Sequence, residues 1–190
     1  MRVGECEMMR SRYEVATLGR GCFWCLEAAF EQMAGVESVV SGCCGRQLDS
    51  PSYAAVCGGR TGHAEVVRIT FDSEQCSYRE LLGVFLAIHD PTTRDRQVND
   101  IGTQYRSVIF YHTPEQEREA VSLMAELEKA GCWAEPIVTE LLPVPQFFEA
   151  EAYHQQYFRR NPTVGYCQFV VSPKLAKFRQ RFSTRFKANR

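Results

Sequence analysis

Between residues 14 and 111 the chain runs strand, helix, strand, strand, helix, strand, and this order constrains its fold more than any other feature. Residues 14–18 read as a short strand that runs into Gly19-Arg20-Gly21. Residues 23–33 carry Phe23, Leu26, Phe30 and Met33 at helical spacing, and Gly35 ends the run. Residues 36–44 are strand-like. In residues 64–71, Val67, Ile69 and Phe71 share one face, while Val66 and Arg68 take the other. Residues 78–88 predict an amphipathic helix with Ser77 as N-cap and Glu80 three residues on. Residues 105–111 predict a further strand. The expected architecture is α/β (α+β): a ferredoxin-like two-layer sandwich with a mostly antiparallel sheet, packed helices and an irregular C-terminal segment.

Downstream, Thr113-Pro114-Glu115-Gln116 opens a helix that runs to about residue 130, before Gly131. Residues 135–142 read as the fourth main strand and residues 147–157 as helical. Beyond Asn161-Pro162 the chain is irregular and closes in a short basic helix from about Lys174. Residues 42–51 and 89–103 are loops, the second opening His-Asp-Pro-Thr; long loops inside a compact domain are often functional. The whole of residues 1–190 is expected to form a single domain, with 1–12 a loose arm and 161–190 the C-terminal segment.

A chain of 190 residues suffices for one sizeable core. A net charge of −1 gives no reason to expect a nucleic-acid or membrane partner, and the basic end from Lys174 reads as a solvated helix. No apolar run approaches the roughly 20 residues of a membrane span. Residues 1–12 lack the apolar stretch of a secretory signal, and Glu5, Glu7 and Glu14 count against a transit peptide. The nine cysteines are an odd number, which argues against full disulfide pairing. A cytoplasmic protein with mostly reduced thiols is expected, organelle targeting being left open, and a monomer.

The chemistry concentrates at Gly21-Cys22-Phe23-Trp24-Cys25. This places a cysteine at a helix start, where free N–H groups favour a thiolate, with two rings to wall an apolar pocket beside it. A nucleophilic sulfur beside such a pocket points to a small, partly apolar group. Cys22-x-x-Cys25 also admits a dithiol pair of the thioredoxin kind, or half a zinc site completed by Cys43 and Cys44. Adjacent cysteines suit one metal poorly, because a strand points them to opposite faces. Cys25 one turn in also reads as a core residue, and Glu65 as a surface acid at a strand edge. Tyr53 and Tyr105 read alike as half-buried tyrosines, and His89-Asp90 as a metal pair or a hydrogen-bonded loop anchor.

Taken together, these segments resemble the A-type peptide methionine sulfoxide reductases. The matching words are Gly-Cys-Phe-Trp at 21–24, Thr-Gly-His-Ala-Glu at 61–65 and His-Asp-Pro-Thr at 89–92. They continue with Asn99-Asp100, Gly-Thr-Gln-Tyr-Arg-Ser at 102–107 and His-Gln-Gln-Tyr at 154–157. The resemblance covers about residues 14–170. It implies reduction of methionine S-sulfoxide, free or in proteins, with Cys22 as nucleophile, Glu65 as proton donor, and Tyr53 and Tyr105 assisting. Phe23 and Trp24 would hold the S-methyl group, Asp100 would order the site, and Tyr166 would stand near it. The resulting Cys22 sulfenic acid would be resolved by Cys167, in Gly165-Tyr166-Cys167, or by Cys25 as second choice, since a disulfide within one helical turn calls for local unwinding. A thioredoxin-like dithiol would recycle the enzyme, with no metal or other cofactor.

The chain departs from the family's words in three places. Gly42-Cys43-Cys44-Gly45-Arg46 stands for the usual Gly-Tyr-x-Gly-Gly, Val98 stands for a glycine, and a second C-terminal cysteine is missing. A single-resolver cycle is therefore expected. Cys6, Cys57, Cys76 and Cys132 have no role that the sequence supplies, Cys57 reading as core or loop.

Overall fold

The computed structural model describes residues 12–45 and 52–187. Its first half contains β1 (Tyr13–Gly19), α1 (Phe23–Phe30), β2 (Val36–Cys44), α2 (Tyr53–Cys57), β3 (Ala64–Asp72) and α3 (Tyr78–Ala87). A small ribbon of β4 (Arg96–Gln97) and β5 (Asp100–Ile101) leads to β6 (Val108–Tyr111) and α4 (Pro114–Lys129). β7 (Glu140–Pro143), β8 (Phe147–Glu149), α5 (Tyr157–Arg160) and α6 (Ser172–Arg181) complete the chain. The expected 1–12 arm lies outside the described residues up to residue 11, as do Cys6 and Arg46.

The main sheet has the order β7-β6-β1-β3-β2-β8. Its central four strands pair antiparallel, β6 with β1, β1 with β3 and β3 with β2. With α1 joining β1 to β2 and α3 following β3, this is the expected split βαβ core. β7 adds parallel to β6, and β8 adds antiparallel to β2.

Strand alternation sorts the two faces. Ala16, Leu18, Val67, Ile69, Phe71 and Ile109 pack with α1, α3 and α4 into the larger core. Cys44, Ala64, Val66, Val108 and Phe110 face the other way, under Leu142, Val144 and Phe147. The capping box expected for α3 is present: Glu80 N–H donates to Ser77 Oγ at 3.2 Å, and Ser77 N–H donates to Glu80 Oε2 at 2.8 Å. At the far end of β3, buried Asp72 accepts from Arg12 at 2.6 Å, and that hydrogen bond holds its carboxyl down at about 2.

Several boundaries differ from the periodicity. α1 stops at Phe30 because residues 31–35 turn through Gly35, at φ +80°, and Met33 forms a bridge with Phe186. Residues 147–157 are not helical. Phe147 and Phe148 instead pair with Cys44 and Cys43 as an edge strand, and a 3-10 turn follows at Ala152–His154. Gly42 makes this approach possible, since a Cβ there would lie 2.4 Å from the Phe147 ring and 2.5 Å from the Phe148 carbonyl. Tyr105 belongs to a 3-10 turn before β6, and β7 begins only at Glu140. The loop of residues 89–103 contains the β4–β5 ribbon. The C-terminal segment is irregular as expected: α5 starts after Gln156 at φ +53°, and a π-helical turn at Cys167–Val171 runs into α6.

Candidate active site

β1 delivers the chain to the site through Arg20 and Gly21. Gly21 takes φ +57°, and its N–H donates to the Tyr105 carbonyl at 3.1 Å. Cys22 follows as the N-cap of α1, with extended dihedrals of φ −68° and ψ 126°. It therefore lies outside the helix proper, while Cys25 occupies the first turn and donates its N–H to the Cys22 carbonyl at 3.1 Å.

Glu65 is not a surface acid. It rises from the start of β3, shares the face of Val67 and Ile69, and is 1% exposed. Its Oε2 accepts from Phe23 N–H at 3.2 Å, at the N-terminus of α1. Its Oε1 is buried and has no hydrogen-bond partner among the described residues. Burial pushes the carboxyl up to about 8, against the Phe23 hydrogen bond and together with the charge of Asp100. Glu65 is thus a neutral acid at pH 7, with one oxygen fixed and the other open. A cleft of about 220 Å³ lies beside it, lined by Phe23, Cys43, Val56, Glu65 and Ala150.

Two tyrosines flank the sulfur. Burial raises the Tyr105 phenol, with Glu65 acting in the same direction. Burial and the neighbouring cysteines raise Tyr166, so both hydroxyls keep their protons. The Tyr166 hydroxyl donates to the Asp100 carboxylate, 3.3 and 3.4 Å from its two oxygens, and it favours the Cys22 thiolate from nearby. Tyr53 opens α2 under a Ser52 cap, and its side chain lies outside the described residues.

The rings form a wall. Phe23 is buried, and Trp24 stacks on Tyr157 at 3.7 Å and 8° between planes. Tyr166 meets Trp24 edge-on at 5.8 Å, and His154 sits 5.3 Å from Phe23. His154 and Tyr157 begin and end the His-Gln-Gln-Tyr word, which marked the site without a role for either ring.

On the other side of Cys22 the thiols gather. Burial raises the Cys22 thiol well above its ordinary value, helped by its hydrogen bond to Cys25 and by Glu65. Cys25 is held down by that hydrogen bond and by Lys174, whose Nζ lies 3.9 Å from its Sγ. The helix-start cysteine thus holds its proton more firmly than Cys25 does, contrary to the thiolate expected at Cys22. Cys167 is fully buried in the π-helical turn, close enough to Cys25 for the Cys25 charge to raise it.

Behind the pair, Arg20 holds the loop of residues 89–103. It donates to the Asp90 carbonyl at 2.6 Å, to Thr93 Oγ1 at 2.9 Å and to Gln97 Oε1. Nothing in the sequence singled out Arg20, or Glu27 beneath the C-terminal segment. His89 is a loop anchor, its ring bonded to the Phe85 carbonyl and to Ser107 Oγ, and burial pushes it down to about 3. Among the described residues no three His, Cys, Asp or Glu side chains converge as metal ligands, and no helix is long and apolar enough to cross a membrane. Cys57 is an exposed helix end and Cys132 is exposed, while Cys76 is buried in the core.

Residues 14–186 match the sequence model of the family described as peptide methionine sulfoxide reductase. The chain belongs to that family. It is 55% identical over 184 residues to a peptide methionine sulfoxide reductase MsrA of Ralstonia nicotianae, covering 94% of this chain and 96% of the relative. Among solved structures it is similar to methionine sulfoxide reductase A of Corynebacterium diphtheriae, with a TM-score of 0.75, 35% identity, and 85% and 80% of the two chains covered. It is also similar to a Saccharomyces cerevisiae protein crystallised in reduced form, with a TM-score of 0.74, 34% identity, and 82% and 90% covered. Two departures from the reductase words now have structural addresses. Cys43, in place of a tyrosine, lines the cleft beside Glu65, and Val98 takes a left-handed φ of +57°.

Proposed function

We propose that this protein reduces methionine S-sulfoxide, free or within proteins, to methionine, with Cys22 as nucleophile. The observation that carries the reading is the Glu65 carboxyl, neutral and buried beneath the cysteine at the start of α1. A sulfoxide oxygen leaves poorly until it is protonated, so attack by sulfur needs an acid within reach. The Glu65 Oε1 proton goes to that oxygen while Cys22 Sγ bonds to the substrate sulfur, and the Cys22 thiol proton restores the Glu65 carboxyl. Tyr105 and Tyr166 donate to the developing charge, with Tyr53 as the further donor that the family words imply. Phe23 and Trp24 enclose the S-methyl group, and Asp100 positions Tyr166.

The substrate leaves as methionine, and its oxygen stays on Cys22 as a sulfenic acid. A second cysteine condenses with it, releasing water, and a thioredoxin-like dithiol reduces the resulting disulfide by exchange. Protein repair follows from the substrate, and the cycle calls for no metal.

Reduced protein is mixed with the separate S and R epimers of a methionine sulfoxide without added reductant. Wild type is expected to yield methionine from the S epimer within one rapid phase, and C22S none. Retained methionine formation by C22S overturns the assignment.

A further inference from the structure

We infer that Cys25, with Lys174 beside it, is the first resolving thiol, and that it passes the disulfide on to Cys167. This deepens the sulfoxide-reduction reading and rests on it. It also replaces the single-resolver cycle expected from the sequence with a three-thiol relay inside the fold.

Geometry carries the inference. Cys22 is the N-cap and Cys25 the third residue of α1, so the two lie about one turn apart at the helix start. Their thiols are close enough for each to shift the other's hold on its proton, and both face one cavity. The local unwinding expected of a disulfide within one helical turn is unnecessary here. Cys22 is already extended, so closing the bond rotates a residue outside the helix and breaks no bond within it. Both thiols line a cavity of about 30 Å³ together with Lys174 and Leu175 of α6. That is room for the single water a condensation releases.

Lys174 supplies what the step needs. Its ammonium group, 3.9 Å from Cys25 Sγ, favours the thiolate that attacks a sulfenic sulfur. The π-helical turn that carries Cys167 packs on α1, which carries Cys25, and Cys25 and Cys22 line one cavity. The Cys25 thiol and the Cys22 sulfenic acid give a Cys22–Cys25 disulfide and water. The Cys167 thiol then attacks Cys25 Sγ, forming Cys25–Cys167 and returning Cys22 as a free thiol. The sulfoxide is the oxidant throughout, and the external dithiol meets a disulfide carried on the C-terminal segment.

The test uses reduced full-length protein and a methionine S-sulfoxide substrate, with no reductant. Samples are quenched in acid at successive times, alkylated and mapped by peptide mass spectrometry, and methionine is counted in parallel. Wild type is expected to show Cys22–Cys25 first and Cys25–Cys167 second, and C167S to stop at Cys22–Cys25. In C25S the Cys22 sulfenic acid, trapped with dimedone, is expected to live at least tenfold longer. Lys174 acts through Cys25 as a positioning residue, so K174M is expected to slow the first disulfide several-fold at pH 7. That deficit should close as the pH rises to 9, and K174R should restore the rate. Methionine released with Cys22–Cys167 as the first disulfide, and C25S resolving at the wild-type rate, overturns the relay while leaving sulfoxide reduction standing. Methionine absent altogether overturns the reading beneath it.

Discussion

The two sides of Cys22 are built differently. Glu65 stands on β3, where it pairs with Cys43 of β2, two residues before the stretch from Val67 to Asp72 that pairs with β1. Cys25 and Lys174 meet across the seam between α1 and the C-terminal segment, which buries Val171, Leu175 and Phe178 in the core beside α1 and adds hydrogen bonds to it. Glu27 accepts from Gln156 N–H at 2.9 Å and Tyr157 N–H at 3.3 Å, and Arg179 donates to Gln32 at 2.8 Å. Proton donation to a bound sulfoxide tolerates little displacement, and the sheet supplies that rigidity. Disulfide relay requires successive sulfur pairs to close to about 2 Å, so the seam between α1 and the C-terminal segment has to shift where the sheet does not. One cysteine at one helix start thus joins a fixed acid to a movable thiol.

The largest effect expected from breaking this division is on the fixed side. E65Q keeps the hydrogen bond to Phe23 and removes the proton, so methionine formation in a single turnover is expected to fall by about 10²–10⁴-fold. In wild type the same step should lose rate as the pH rises through about 8, where the Glu65 proton leaves. The stability effect has the opposite sense. A carboxyl raised from 4.5 to about 8 in the folded state binds its proton more tightly there than in the unfolded chain, so wild-type stability declines between those two pH values. E65Q escapes that decline and should be more stable than wild type at pH 8 by about 1–2 kcal/mol. A quench-flow pH series and urea unfolding at pH 5 and 8 check both halves. An unchanged methionine rate would remove Glu65 as the acid.

The next effect is on the movable side. E27A removes the shared acceptor of two partly buried N–H donors, at a cost of about 0.5–1.5 kcal/mol for each bond. Amide exchange is expected to accelerate about tenfold or more at Gln156 and Tyr157, while β1 and β3 keep their protection. Equal loss in the sheet would mean that the two regions open as one unit, and the comparison would fail. The effect should also depend on pH. Burial raises Glu27 to about 7, so the wild-type latch itself changes protonation near neutrality.

How much of this was legible in the sequence follows the same division. The split βαβ order, the Ser77 cap and the Thr113 helix start were readable because each rests on local periodicity or capping chemistry. The misread stretch, residues 147–157, is an edge strand whose partner, β2, lies a hundred residues away, and two adjacent phenylalanines give no period. Cys22, Glu65, Tyr105, Asp100 and Tyr166 were nameable from multi-residue words, and the structure gathers them around one sulfur. Glu27, Arg20 and Lys174 carry no local signature. They matter through what a distant segment sets against them, and single-sequence patterns do not record that.

The smallest predicted effect concerns the ribbon that joins the two sides. Val98 sits at φ +57° between β4 and β5, 60% exposed, immediately before the turn that sets Asp100 against Tyr166. A β-branched residue held in the left-handed region costs about 1–3 kcal/mol. Glycine relieves that strain but adds freedom to the unfolded chain, giving back about 0.4–1 kcal/mol. V98G is therefore expected to gain about 1 kcal/mol, or about 2–4 °C in Tm for a chain of this length. Calorimetry on the reduced protein gives the sign. A gain, with the rate of the second disulfide unchanged, would place the strain outside the relay and sharpen the line between the two regions. A gain accompanied by slower transfer to Cys167 would mean that the strained turn helps to hold Tyr166 and its segment in reach. A lower Tm would show that the exposed valine makes contacts worth more than its backbone costs.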